Sequence, residues 1–233
     1  MAPQKVTNVM PRVTGFQWGP VIQQRPQLAA LVMQVIGLWS AIDGMFNGML
    51  ADFLKLDIYV AMKMLQSIDN ISLRRQLVRI AAEQTFSPED FQLFTATVKT
   101  TKASETRRHA FAHHIWAVPN GDEHPNTLLL IDPKDFNRKI SEWKDGVATK
   151  KLVNPSHEPV IHRWWDDIYM FTERDLREDV AMADRAYKVI SWLQCLAPEY
   201  GDEQRQLMRT ELSKEPLIRQ EIERLSRKTA ADS

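Results

Sequence analysis

The segment Thr106-Arg107-Arg108-His109-Ala110-Phe111-Ala112-His113-His114 gathers two arginines and three histidines within a few residues, interleaved with small and aromatic residues suited to packing. Histidine titrates near neutrality and can move a proton to or from a ribose hydroxyl, while arginine offers a planar fork to a phosphorane carrying extra negative charge. These types suit cleavage of a phosphodiester without a metal ion. From Lys99 to His114 the formal charge is +3, four cations against Glu105. On a helix, His109 and His113 stand at i, i+4 and share a face, whereas Arg108 and His113 lie about 140° apart. Arg108 and His113 can meet around one pocket if the helix end loosens, or if two copies of the chain face each other across a dimer axis.

Other groups offer weaker signals. His109 and His113 have the spacing of a zincin metal pair, but Ala110 occupies the place of the glutamate, and His124, His157 and His162 have no matching context as a third ligand. No metal and no cofactor is expected. Asp43, in an apolar helix with Ser40 and Asn47 at i−3 and i+4, needs a partner and is expected to look inward at something basic, with Arg108 or His113 as candidates. Trp164 and Trp165 read as core rather than as a base-stacking pair, and Cys195, among Trp192, Leu193 and Leu196, as a small buried hydrophobe rather than a nucleophile.

The elements that must position the motif read as helices. A first helix starts near Pro26, with Leu28, Leu31, Val32, Val35, Leu38, Trp39 and Ile42 at spacings of three and four. A second runs over about Asp57 to Ile68, and a third carries Leu73, Leu77 and Ile80 on one face. Ser87-Pro88-Glu89-Asp90 is a strong helix start, predicting one helix from Pro88 toward His114. The period then changes. Residues 114–118 and 127–131 predict a hairpin, the turn-like Pro119-Asn120-Gly121-Asp122 lying between them, and Asp167 to Phe171 a third strand. Residues 134–147 are mixed in pattern and 154–159 read as a loop. Thr172 to Asp175 caps a long helix with Leu176, Val180, Ala183, Tyr187 and Ile190 inward. The charged tail is read as two amphipathic helices split near Ser213 to Pro216, with Ile218, Ile222 and Leu225 on one stripe suited to a partner helix.

Composition bounds these readings. The chain has 233 residues, 30 Lys+Arg against 30 Asp+Glu, and 44% hydrophobic residues, which excludes disorder as its default state and leaves room for a sizeable core. One cysteine excludes an internal disulfide, and a cytoplasmic location is expected. The most apolar stretch, Leu28 to Ile42, is too short for a membrane span and reads as a buried helix, so no membrane partner is expected. The organisation expected is one domain, 1–233: an arm over 1–25, a helical core over 26–114, a β and loop excursion over 115–171, a long helix over 172–199 and a charged helical tail over 200–233. Zero net charge with a local basic helix end predicts that any nucleic-acid contact is weak outside the site, centred on it, and shallow in its salt dependence.

Arg108-His109-Ala110-Phe111-Ala112-His113 fits the R-x4-6-H motif of the HEPN superfamily. With the Ile115-Trp116 step that follows, and the basic Arg74-Arg75 turn before it, the region from Pro26 to Trp116 resembles the bacterial RNxxAHxxW members of that group. His109 stands where asparagine is commoner and His114 where glycine is often found. The resemblance implies a mainly α, HEPN-like helical bundle with a small β-hairpin and strand excursion before the long C-terminal helix. It implies a homodimer whose motif residues share one cleft, RNA as substrate, and, for toxin or antiphage members, an antitoxin protein as a further partner. Carried over by position, Arg108 and His113 are the catalytic pair. Arg108 would bind the scissile phosphate and His113 would assist proton transfer at the 2′-hydroxyl, with Arg107, His109, His114 and Asp43 in support. The alternative is a non-catalytic HEPN-like module that binds RNA, nucleotide or a partner chain.

Overall fold

Four successive buried residues, Leu128-Leu129-Leu130-Ile131, require cover on both faces of a strand, because neighbouring side chains point to opposite sides. The computed structural model, which describes residues 4–5, 16–18, 21–119, 124–148 and 168–232, supplies that cover with helices. In chain order the elements are β1 (Gln4–Lys5), β2 (Phe16–Trp18), α1 (Val21–Gln24), α2 (Pro26–Leu54), α3 (Ile58–Gln66), α4 (Ile71–Thr85), α5 (Pro88–Thr100), α6 (Lys102–His113), β3 (Ile115–Pro119), β4 (Thr127–Ile131), α7 (Pro133–Ala148), β5 (Ile168–Thr172), α8 (Glu173–Gln194), α9 (Asp202–Lys214) and α10 (Pro216–Asp232). The chain is mainly α-helical with a small antiparallel sheet. It forms two compact units: a sheet unit of residues 1–36 and 106–181, and a helical unit of residues 37–105 and 182–233.

The sheet unit holds five strands in the order β1-β5-β4-β3-β2. The predicted hairpin is present, with Ala117 opposite Leu129, and β5 pairs on the other side of β4, with Met170 opposite Leu129 and Phe171 opposite Leu128. The expected N-terminal arm contributes the two edge strands: Gln4 pairs with Met170 and Phe16 with Pro119. Ala117, Leu129, Ile131, Ile168 and Met170 form one buried row, with Phe136 of α7 packed on it. Residues 134–147, mixed in pattern, are therefore helical, with Phe136 packed against the sheet. On the other face, Phe111 of α6 meets Phe171 edge to face at 5.3 Å between ring centroids. The expected cap of α8 is a reciprocal box. Thr172 Oγ1 donates to Asp175 Oδ2 at 2.7 Å and accepts from the Asp175 N–H at 3.3 Å. Trp164, Trp165 and the loop at 154–159, like residues 120–122 of the turn, lie outside the described residues.

The helical unit is built on Trp39, Ile42, Phe46, Met49 and Leu50, each at most 3% exposed. Trp39 Nε1 donates to the buried Ser104 hydroxyl at 2.9 Å, and Phe53 meets Phe86 edge to face at 4.9 Å. The first helix is longer than its most apolar stretch. At 29 residues, α2 is long and apolar enough, by length and composition, to cross a membrane. From Trp39 onward its buried face is the core of this unit, while only 33% of its most apolar window is buried. On α4 the inward residues are Val78, Ala81 and Ala82, and Leu73 and Ile80 are half exposed, a correction to the expected face. Tyr187, expected in the core stripe of α8, is 37% exposed. The two helices of the tail split where expected, but their partner is this chain: α9 and α10 pack on α5, with Ile218 fully buried.

The helix expected from Pro88 to His114 breaks at Thr101. The Thr100 hydroxyl donates to the Thr97 carbonyl at 2.8 Å and the Thr101 hydroxyl to Val98 at 2.9 Å, back-bonds that compete with the helix ladder. Serine caps the start as predicted, Ser87 Oγ accepting from the Asp90 N–H at 3.1 Å.

At the other end of α2, Lys55 has a φ of 53°, with its N–H bonded to Asp52 and that of Leu56 to Ala51. This left-handed cap favours glycine. Lys55→Gly is expected to raise stability by up to about 1 kcal/mol in urea unfolding; a loss of stability would contradict this reading of the cap.

Candidate active site

The motif segment belongs to the sheet unit from Thr106 onward, and its orientation follows from two inward anchors. Phe111 is 1% exposed against Phe171. Arg107, one turn earlier on the same stripe, reaches Asp179 Oδ1 at 3.4 Å and lies 5.5 Å from the Phe171 ring centroid. Residues two positions from this stripe point the opposite way. His109 and His113 accordingly stand exposed, their rings 4.5 Å apart and tilted by 51°. Arg108, between the two faces, is half-buried.

The helix end is fastened by Trp116. Its indole N–H donates to the Phe111 carbonyl at 2.9 Å, satisfying one of the last-turn carbonyls that a helix leaves without an internal partner. Arg-His-x-x-Ala-His-x-x-Trp thus has a mechanical reading here, since the tryptophan holds the turn that presents both histidines. His114 begins the exit from the helix. It is half-buried with Nε2 4.0 Å from Asp132 Oδ2. Burial lowers its pKa below the ordinary histidine value, Asp132 opposes this, and His109 and His113 add to the lowering.

The structure thus brings His109 and His113 together on one exposed face, with His114 following at the helix exit and half-buried. It turns Arg107, expected at the substrate, toward Asp179 and Phe171. Asp43 finds the basic partner it was expected to need, in the helical unit: Arg75 Nη2 donates to its Oδ1 at 2.7 Å, while Arg75 Nε faces Glu105 at 3.4 Å and the guanidinium lies 3.7 Å from the Phe46 centroid. Neither Arg75 as that partner nor Asp179 and Asp132 at the motif helix was visible in sequence, because each is far along the chain from the residue it meets. Cys195 is half-buried; burial pushes its thiol up, against a hydrogen bond with Gln204, which fits a packing role. Among the described residues, no group of three or more His, Cys, Asp and Glu side chains could hold a metal ion. His157 and His162 lie outside them.

No family model matches the sequence, and no curated protein or solved structure is detectably similar to it.

Asp179 gives the site a pH dependence. Its side chain is 4% exposed, and burial pushes the carboxyl up to about 6; Arg107 only partly offsets this, and Asp175 and Glu178 add to it. Between 3.8 and about 6 the folded chain holds the proton that the unfolded chain has released. Its contribution to stability is thus full below 3.8 and is lost as pH rises through 6. Asp179→Asn does not titrate. Relative to the parent it is expected to gain up to about 3 kcal/mol between about pH 4 and about pH 7. Urea unfolding of both chains across that range checks this, and parallel pH profiles would sink it.

Proposed function

We propose that the protein is a HEPN-type, metal-independent endoribonuclease, acting in the cytoplasm as a homodimer. The observation that carries this reading is the exposed pair of His109 and His113, their rings 4.5 Å apart, next in sequence to Arg108 at the end of a helix held by Phe111 and Trp116. An exposed imidazole at His113 can take the proton of a 2′-hydroxyl, whose oxygen then attacks the adjacent phosphorus. Arg108 binds the phosphate and stabilises the phosphorane as charge accumulates. His109, one turn from His113, positions the substrate, and as the bond from phosphorus to the 5′-oxygen breaks that oxygen takes a proton from solvent water. His114, half-buried beside Asp132, supports the cluster at the helix exit. Arg107 contributes by orienting the helix through Asp179. An antitoxin protein remains the expected partner if the enzyme acts as a toxin.

The test is incubation of the full chain with RNA in EDTA, followed by analysis of the product ends. A 2′,3′-cyclic phosphate and a 5′-hydroxyl are expected, since the nucleophile is the neighbouring ribose oxygen. Products with a 5′-phosphate would refute this chemistry. RNA binding without cleavage would return the non-catalytic module as the better reading.

A further inference from the structure

We propose that the helical unit carries a groove for the phosphodiester backbone of single-stranded RNA, between α4 and α5; the choice of RNA rests on the ribonuclease reading. Three neighbouring hollows there, of about 490, 210 and 200 Å³, share Phe46 and Arg75 in their walls. The largest is lined by four cations, Arg75, Arg79, Lys99 and Lys102, and by no carboxylate. Arg75 and Arg79 stand one helical turn apart on α4, about 6 Å along its axis, a spacing comparable to that of successive phosphates on an extended strand. Lys99 and Lys102 oppose them from the end of α5 and the start of α6, with side chains 50% and 68% exposed.

Three carboxylates attend these cations from outside the largest hollow. Asp43 and Glu105 hold Arg75, Glu105 also takes Lys102 at 2.8 Å, and Glu221 of α10 takes Lys99 at 2.9 Å. The lysine pairs are exposed on the lysine side, and such pairs are weak and exchangeable, so a phosphate can displace Glu105 or Glu221 from them. Arg79, exposed on α4, lies 5.9 Å from the Phe91 ring centroid. The floor argues for backbone binding over base recognition. Phe46 and Phe94 are 3% and 2% exposed, so they close the groove beneath a strand and offer no free ring face for stacking. Binding should therefore be indifferent to sequence and sensitive to salt. With Arg75 held by Asp43 and Glu105, neutralising about three phosphates at Arg79, Lys99 and Lys102 predicts a slope of about −2 for log K against log salt, steeper than the neutral chain by itself implied.

The experiment measures anisotropy of a fluorescein-labelled oligouridine with the full chain in EDTA, in a His113→Ala background so that no cleavage intervenes. Arg79→Glu and Lys102→Glu are each expected to weaken binding at least about fivefold and to flatten the slope by about 0.7 for each phosphate no longer neutralised. Lys214→Glu, an exposed lysine of α9 that does not line the groove, should leave binding unchanged. The groove is refuted if both groove variants bind like the parent, if Lys214→Glu weakens binding equally, or if uridine monophosphate competes as well as the strand. The two proposals fail separately. A chain that binds through these cations yet never cuts RNA retains the groove and loses the ribonuclease reading; one that cuts RNA with the groove variants unaffected does the reverse.

Discussion

Replacing Arg209 with methionine is expected to destabilise the protein by about 3–5 kcal/mol at neutral pH, because it leaves a buried carboxylate without its counter-ion. Asp90, in the first turn of α5, is 4% exposed and receives both Nε and Nη2 of Arg209, at 2.6 and 2.7 Å. This bidentate pair ties α9 to α5 within the helical unit. Burial pushes the Asp90 carboxyl up, but the Arg209 hydrogen bonds and charge, with the Ser87 cap, outweigh it and hold the pKa below 3.8. The stability it contributes is therefore present above 3.8 and lost as pH falls through the lowered value. Asp90→Asn should cost less than Arg209→Met, since Arg209 is a third exposed and water can partly serve its freed fork. The double variant should cost less than the sum of the two single ones. Urea unfolding of the three variants checks the cycle. Strict additivity would mean that the pair is not coupled.

His113→Ala is expected to slow RNA cleavage by about 10²–10⁴-fold, the range for loss of a general acid or base. Arg108→Ala should cost about 10²–10³-fold through weaker stabilisation of the phosphorane. His113 is a favourable test position because its side chain is exposed at the end of α6, so its truncation creates no cavity. Unchanged unfolding with abolished cleavage identifies a chemical role. Arg108 is half-buried, and its variant needs the same stability control. Cleavage by His113→Ala at the parent rate would remove His113 from the mechanism, and with it the significance of its contact with His109.

Local chemistry explains what was legible. Ser87 and Thr172 cap their helices as expected because a cap needs only a side-chain oxygen within three residues of the N–H it receives. The hairpin at β3 and β4 followed from β-branched and leucine runs on either side of a turn. Motif geometry was legible in part, since the i, i+4 relation of His109 and His113 is a property of any helix. Other features depended on neighbours remote in sequence. In sequence Arg107 is as available for substrate as Arg108; in the fold Asp179 and Phe171 take it. α7 was not legible because the sheet face that Phe136 packs against is built from β3, β4 and β5, remote from it in pattern. The amphipathic stripe of α10 predicted a partner, and no local signal could say that the partner was α5 of the same chain.

The sequence by itself determined that this is a mainly helical chain with a strand excursion, that a basic histidine cluster closes one helix, and that the chain's neutral total conceals local charge. These follow from periodicity, capping and composition, which act over a few residues. Tertiary structure alone decided which arginine of the cluster turns inward, which acid answers Arg75, and that Trp116 fastens the turn carrying His113. It also gathered Arg75, Arg79, Lys99 and Lys102 into one groove. Burial and pairing belong to groups that the chain brings together from positions tens of residues apart, and only the folded backbone sets those distances.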